Sequence, residues 1–403
     1  MTHKTNTLFS SIELFTTTIV SVSAINYVDP ISGITNTASW PFVTIPDFAT
    51  RATKLQEMSD NTVLYVSQYH LVDADERQAW ESYIKTSSGW IRQSTIIQDE
   101  QEDDGFDASN ISPGNLVMPT IHYANSTQRV PDGPQFFLPQ WQSAPIIVKN
   151  DGTTSINTDG RTTTLEMALN ALLLRNAVMG PVANVKPTEV NVKGYGTESD
   201  IQDTNHWLSV LLGPHDVTYT EPISQIHNPI FNIESSNAME QSGNTAENSL
   251  PLGIFSIVIQ WRRLFTHLLP ESSHGLDIVV ENGSCGQVFT YRIHNGDSVV
   301  YVGPGDHHDR MYDHLEETLA LQDLFLVSKD LEGDEASDSS LTEGTCSYSI
   351  SVYPTQETYE AYRTNRPRIM TAVTAGVFVL FGIIVLLNDW LIRTSNHGKV
   401  TCV

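Results

Sequence analysis

Positive charge is what this sequence has least of. Only 22 of its 403 residues are Lys or Arg, against 47 Asp or Glu, and the formal charge is −25. Nucleic-acid binding needs a basic footprint, and an electrostatic lipid anchor needs clustered Lys and Arg. Neither class fits, so no nucleic-acid partner is expected. Charge of either sign is scarce at 17% of residues, so Ser, Thr, Asn and Gln must finish much of the surface. Cysteine is nearly missing: Cys285, Cys346 and Cys402 are all there are, which excludes a Cys-rich zinc scaffold. Catalytic signatures are missing too. There is no phosphate-binding P-loop, no HExxH and no GxSxG elbow. Gly194-Tyr-Gly196 is a lone GxG with no helix start behind it. No catalytic residue, metal ligand or cofactor is therefore assigned.

Two polar clusters receive plain readings. The run from Gly305 to His314 offers Asp306, His307, His308, Asp309, Asp313 and His314. Adjacent His307 and His308 cannot easily face one ion, so it reads as a capped turn opening a helix. The acidic run Asp99 to Asp107 lacks the alternating carboxylates of an EF-hand loop and reads as an exposed loop.

Long apolar runs are absent with one exception. Mean hydropathy is −0.19, yet the 19 residues from Ile369 to Leu387 carry no charge. At about 1.5 Å per residue they match a hydrocarbon core of roughly 30 Å. The sequence thus predicts one membrane helix over 366–390, with Trp390 at the interface. Ala372 and Gly376 form a small-xxx-small pair. The remainder, 391–403, would be a cytoplasmic stub. The bulk of the chain is expected outside the cell, anchored in the plasma membrane. Three sequons support that side: Asn110-Ile-Ser, Asn125-Ser-Thr and Asn282-Gly-Ser. Arg363, Arg366 and Arg368 before the span, against Arg393 and Lys399 after it, point the other way. The positive-inside rule is weak for long translocated domains. Cys285 and Cys346 flank a predicted β segment; a disulfide and two buried thiols both fit. Residues 1–39 are apolar and Thr-rich, and read as a linker, a signal or the remnant of an anchor.

Along the chain, Asp47 is placed to cap a long N-terminal helix running towards Tyr69, with strand-like content at 63–66. Further helices are predicted at 75–86, 163–179 (stopped by Gly180-Pro181), 261–269 and 307–325. Strands are predicted at 252–259, 276–281, 287–293, 298–302 and 346–353, with Asn295-Gly296 as a hairpin turn. The pattern suits an antiparallel α+β sensor module of the PAS type, placed at about 215–355 behind a membrane-distal part at about 40–185.

A series of motifs carries a family resemblance. Trp40-Pro-Phe-Val-Thr-Ile-Pro-Asp-Phe48 is followed by Trp80-Glu-Ser-Tyr83, Gly89-Trp-Ile91 and Phe137-Leu-Pro-Gln-Trp-Gln142 with Ala144-Pro145. Then come His227-Asn-Pro-Ile-Phe231, Trp261 to Pro270, Gly275 to Asn282, Cys285-Gly286, Phe289-Thr-Tyr291, and Gly303-Pro-Gly-Asp306 with His308-Asp309. Their number and order resemble the extracellular region of receptor-type guanylate and adenylate cyclases of diatoms and related algae. That region is similar to the CHASE sensor domain of hybrid histidine kinases and cytokinin receptors. The resemblance covers about 40–390. It implies a CHASE-like sensor at 40–365 that binds an extracellular ligand and signals as a homodimer through the span. Candidate ligand contacts are Phe255, Trp261, Phe289, Tyr291 and Tyr301, which could equally fill the core. The chain lacks the cyclase domain of such receptors, so no cyclase activity is expected of it. A histidine-kinase sensor arm and a stand-alone membrane-anchored adhesion or decoy protein are the alternatives.

Overall fold

The computed structural model describes residues 8, 10–12, 14–17, 27–28, 35–36, 40–101, 119–123, 128–146, 156–159, 165–183, 221–231, 251–269, 274–283, 285–294, 298–321, 347–363, 374–376 and 378. The chain divides into two units, Met1–Tyr353 and Pro354–Val403.

The first unit is a mixed α+β structure with two five-stranded antiparallel sheets. Strands β1 (Tyr27–Val28) and β2 (Thr35–Asn36) form a small separate pair. Helix α1 (Phe48–Met58) buries Phe48, Ala49, Ala52 and Leu55 along one stripe. It is not the long helix expected. Asp60 and Asn61 take left-handed backbone angles (φ 56 for both), and the Asn61 amide turns back to the Gln56 carbonyl at 2.8 Å. That geometry closes the helix, and the β-branched and aromatic residues beyond form β3 (Val63–His70). Asp47 stands at the N-cap position without a side-chain capping bond. Its carboxylate accepts from Gln93 Nε2 instead.

Strand β4 (Val72–Asp73) leads into helices α2 (Arg77–Thr86) and α3 (Gly89–Gln101). After β5 (Phe136–Phe137) come β6 (Gln140–Ala144), helix α4 (Leu165–Leu174) and β7 (Val178–Ala183). The predicted helix to 179 stops early because Arg175 turns left-handed (φ 55). Gly180 and Pro181 sit inside β7, where the register with β8 shifts. Pro181 is tolerated because β7 is a sheet edge. Strands β8 (Ile223–Phe231) and β9 (Pro251–Gln260) complete the first sheet in the order β6-β3-β9-β8-β7. Residues 223–231 and 251–260 therefore pair with strands from the earlier half of the chain, and the strands of the second sheet all follow residue 265.

The short helix α5 (Trp261–Phe265) leads to β10 (Leu276–Asn282), β11 (Gln287–Ile293) and β12 (Val299–Pro304). The predicted helix at 307–325 is instead a 3-10 turn (Arg310–Leu315) and strand β13 (Glu317–Ala320). Strand β13 is fixed by pairing with the free side of β14 (Tyr348–Pro354), a tertiary contact that overrides local helix preference. The second sheet runs β12-β11-β10-β14-β13.

One apolar core joins the two sheets. Val66, Ile226, Phe255 and Ile257 of the first share it with Val280, Phe289, Tyr291 and Ile350 of the second. Trp261 stands between them. Its indole lies 5.6 Å from the Phe289 ring and 5.3 Å from the Tyr348 ring, and its Nε1–H donates to Ser224 Oγ at 2.8 Å. Gln287 adds a polar clamp, bonding both the amide and the carbonyl of Val182 at 2.8 Å. Leu8, Ile12 and Phe15 recur at helical spacing and are buried in the same core, with Phe15 edge-on to Phe255 at 5.5 Å. A second cluster, around Trp80, Trp90, Trp141 and Phe137, packs α2 and α3.

Of the second unit, helix α6 (Gln356–Tyr362) is described, with the Thr355 hydroxyl accepting from the Thr358 amide. Within the apolar run, residues 374–376 and 378 are helical and exposed; the rest of the expected span lies outside the described residues. Among the described residues no helix is long and apolar enough to cross a membrane.

Candidate functional site

Four of the five aromatics expected at a ligand site lie in the core. Phe255, Trp261, Phe289 and Tyr291 are fully buried in the shared core. Tyr301 is half-buried against Tyr291, ring centroids 5.4 Å apart. Phe255, Phe289, Tyr291 and Tyr301 occupy the inward positions of β9, β11 and β12, where strand alternation points side chains at the opposing sheet, and Trp261 opens the short helix after β9.

A different constellation lies on the other face of the first sheet. Registers decide it. Ser67 of β3 is opposite Ser143 of β6 and Ser256 of β9, and Ser256 is opposite His227 of β8. Residues directly opposite share a face. Ser143, Ser67, Ser256 and His227 therefore make one row across four strands. The rows on either side share the face, and bring in Tyr65 and Gln225 on one flank and Tyr69 and Gln140 on the other. Helix α4 covers part of this face, where Ala168 and Leu172 meet Tyr69 and Ile254.

The row is fully buried, and it is only partly satisfied. Gln140 donates through Nε2 to Tyr65 Oη at 2.7 Å and accepts from Tyr69 Oη at 3.1 Å. Gln225 Nε2 donates to Ser256 Oγ. Ser67 Oγ makes one long bond, 3.4 Å, to the Ser256 carbonyl. Ser143 Oγ and both ring nitrogens of His227 have no protein partner. Burial away from water lowers the His227 pKa to about 4, so its ring is neutral near pH 7 and offers one donor and one acceptor. Among the described residues the row and its flanks thus present hydroxyls, amides and a neutral imidazole, and no formal charge. An uncharged molecule carrying both donors and acceptors matches that chemistry. Gln68, on the core face of β3 between Gln142 and Phe255, is also buried with both amide atoms unpartnered, as is Nε2 of His70 two residues on.

Sequence reasoning missed this row. The only signals were isolated serines inside apolar or amide-rich strands, as in Ile-Phe-Ser256-Ile and Gln-Trp-Gln-Ser143.

The remaining expected sites fall as follows. Asn110 and Asn125 lie outside the described residues. Asn282 is fully buried; its Oδ1 accepts from the Cys285 amide at 3.2 Å and its Nδ2 faces Gln287 Oε1 at 3.5 Å. Cys285 is disulfide-bonded. Its expected partner Cys346 lies outside the described residues, but the next residue, Ser347, accepts a backbone bond from Gly283 at 3.1 Å. Peptide mapping without reduction is expected to recover a Cys285–Cys346 linked pair. Recovery of Cys346 as a free thiol would exclude that pairing. In the run 305–314, no group of three His, Cys, Asp or Glu is arranged for a metal among the described residues.

No protein-family model matches the chain, and no curated protein matches it in sequence.

Proposed function

We propose that this chain is the signal-sensing external region and membrane anchor of a receptor-type guanylate or adenylate cyclase. Its CHASE/PAS-like sensor occupies about 40–365 and its single span runs from Ile369 to Leu387. The ordered motifs that resemble such receptors support this reading, as does the α+β architecture with two antiparallel sheets. The ligand would be a small, uncharged, polar extracellular molecule. It acts by favouring one of two arrangements of a homodimer, which requires that it bind them unequally.

The observation that carries the sensing role is the buried polar row. An unsatisfied buried group costs about 1–3 kcal/mol, and Ser143 and His227 hold three such atoms at the two ends of the row. A purely structural sheet face would be more stable with apolar residues there. The test pairs binding with stability. The full chain, expressed in a eukaryotic secretory host, is examined by native mass spectrometry for a bound small molecule. The Ser143→Ala/His227→Phe variant is expected to lose that mass. Freed of the bound molecule, the wild type is expected to unfold more easily than this variant, by about 1–3 kcal/mol. A variant less stable than the ligand-free wild type, with no bound mass on either, would make the row structural and remove the sensing role.

A further inference from the structure

A second device lies on the opposite side of the molecule's first unit and is independent of the ligand reading. The chain between β12 and β13 must travel from one edge of the second sheet to the other. It does so across the outer face, as a strap over residues 305–316. Thr290 of β11 pins its start, donating to the Gly305 carbonyl at 2.8 Å and accepting from the His307 amide at 3.0 Å. Tyr353 of β14 pins its middle. The His308 ring stacks flat on Tyr353, 3.7 Å between centroids and 7° from parallel. Glu316 pins its end, accepting from Ser351 Oγ at 2.7 Å. Within the strap Tyr312 is buried.

His308 is held by two carboxylates at once. Nδ1 meets Asp306 Oδ1 at 2.5 Å and Nε2 meets Asp313 Oδ1 at 2.8 Å. A carboxylate only accepts, and a neutral imidazole has one N–H. Both contacts are hydrogen bonds only while the ring carries two protons. Once it loses one, a nitrogen lone pair faces a carboxylate oxygen.

We propose that His308 is a pH-operated clasp: doubly protonated, it ties Asp306 to Asp313 and fixes the fold of the 305–316 strap over Tyr353, and on losing a proton it lets that fold open.

The surrounding charges agree with this sense. Burial opposes the ring's charge, but the bonds to Asp313 and Asp306 outweigh it and raise the His308 pKa above its ordinary value. Glu316 lies near enough to contribute through its charge, and its own pKa is lowered chiefly by its Ser351 bond. The Tyr353 hydroxyl, raised to about 12 by burial and by its bond to Glu316, stays neutral. The remaining charges on that sheet face are Glu281, which is exposed, and Asp277 and Arg292, which are bonded to each other at 2.7 Å. A folded-state pKa above the unfolded value means the clasp contributes fully below about pH 6.5 and is lost as pH rises through the raised value.

Hydrogen exchange on the full chain reads this directly. After correction for intrinsic rates, the His307 and Tyr312 amides of the strap are expected to be protected in acid and to open as pH rises past the ordinary histidine value. The opening constant should change by about tenfold for each unit separating the two His308 pKa values. His308→Gln, which has no charge to gain, should leave the strap open with no pH step. The Asp306→Asn/Asp313→Asn variant keeps the ring and its stacking, and should move the step to lower pH. Protection of β3 amides serves as the folding control. A wild-type strap without a pH step, or a His308→Gln strap as protected as wild type while β3 is intact, overturns the clasp.

Discussion

Replacing Trp261 by alanine is expected to cost about 3–5 kcal/mol, the range for deleting a buried tryptophan. Urea unfolding followed by circular dichroism would measure it. The loss is large because two effects coincide. The indole fills space that residues of both sheets share, touching Phe265 as well as Phe289 and Tyr348. It is also the donor to Ser224 Oγ, a hydroxyl that Tyr348 Oη approaches at 3.4 Å. Trp261→Phe keeps most of the volume and removes only the donor, so about 1–2 kcal/mol is expected. Whole domains are stable by only about 5–15 kcal/mol, so the alanine variant should lie near the limit of folding. A loss below about 1 kcal/mol would mean that the sheets are not joined through this residue.

The second large effect is acid lability through two buried histidines. His70 lies between the rings of Trp40 and Trp80, at 4.6 and 5.0 Å, and its Nδ1–H donates to the Pro41 carbonyl at 2.6 Å. Burial, partly offset by that bond, lowers its pKa to about 3. Burial alone lowers that of His227 to about 4. Above about pH 6.5 both are neutral whether the chain is folded or unfolded. Below it the unfolded chain takes up protons that the folded chain refuses, so stability falls with pH. The loss runs from about pH 6.5 down through the two folded values, at about 1.4 kcal/mol per unit of separation. Several kcal/mol should vanish between pH 7 and pH 4, seen as a falling urea midpoint. His227→Phe should remove its share of the slope. An unchanged midpoint between pH 7 and pH 4.5 would show that these rings are not buried neutral. His308 has the opposite sign, so local exchange at the strap and global unfolding should respond to pH in opposite directions.

The second sheet was readable from local sequence because its strands are short and apolar-alternating. Gln287 to Ile293 was placed to the residue, and in the first sheet the strand expected at 252–259 differs from β9 by one residue at each end. Errors came where a non-local contact or a left-handed residue decided the outcome. Thr318 and Leu319 became a strand because β14 had an open side. Asp60, Asn61 and Arg175 ended helices whose apolar periodicity ran on past them. The polar row was hidden for a different reason. Ser67, Ser143, Ser256 and His227 come from four strands, and which residues meet depends on register. A slip of one residue would put every one of them on the opposite face. The aromatics were visible as a group, but aromatic content alone does not separate a pocket from a core.

Strand β14 ends the first unit, and its place in the sheet has a mechanical consequence. It is an interior strand, held by β10 on one side and β13 on the other. A pull along the chain beyond Tyr353 would load both ladders in shear, with many backbone bonds sharing the force. An edge strand would have one ladder to bear the same load. The last strand of the first unit is therefore held by backbone bonds on both of its sides.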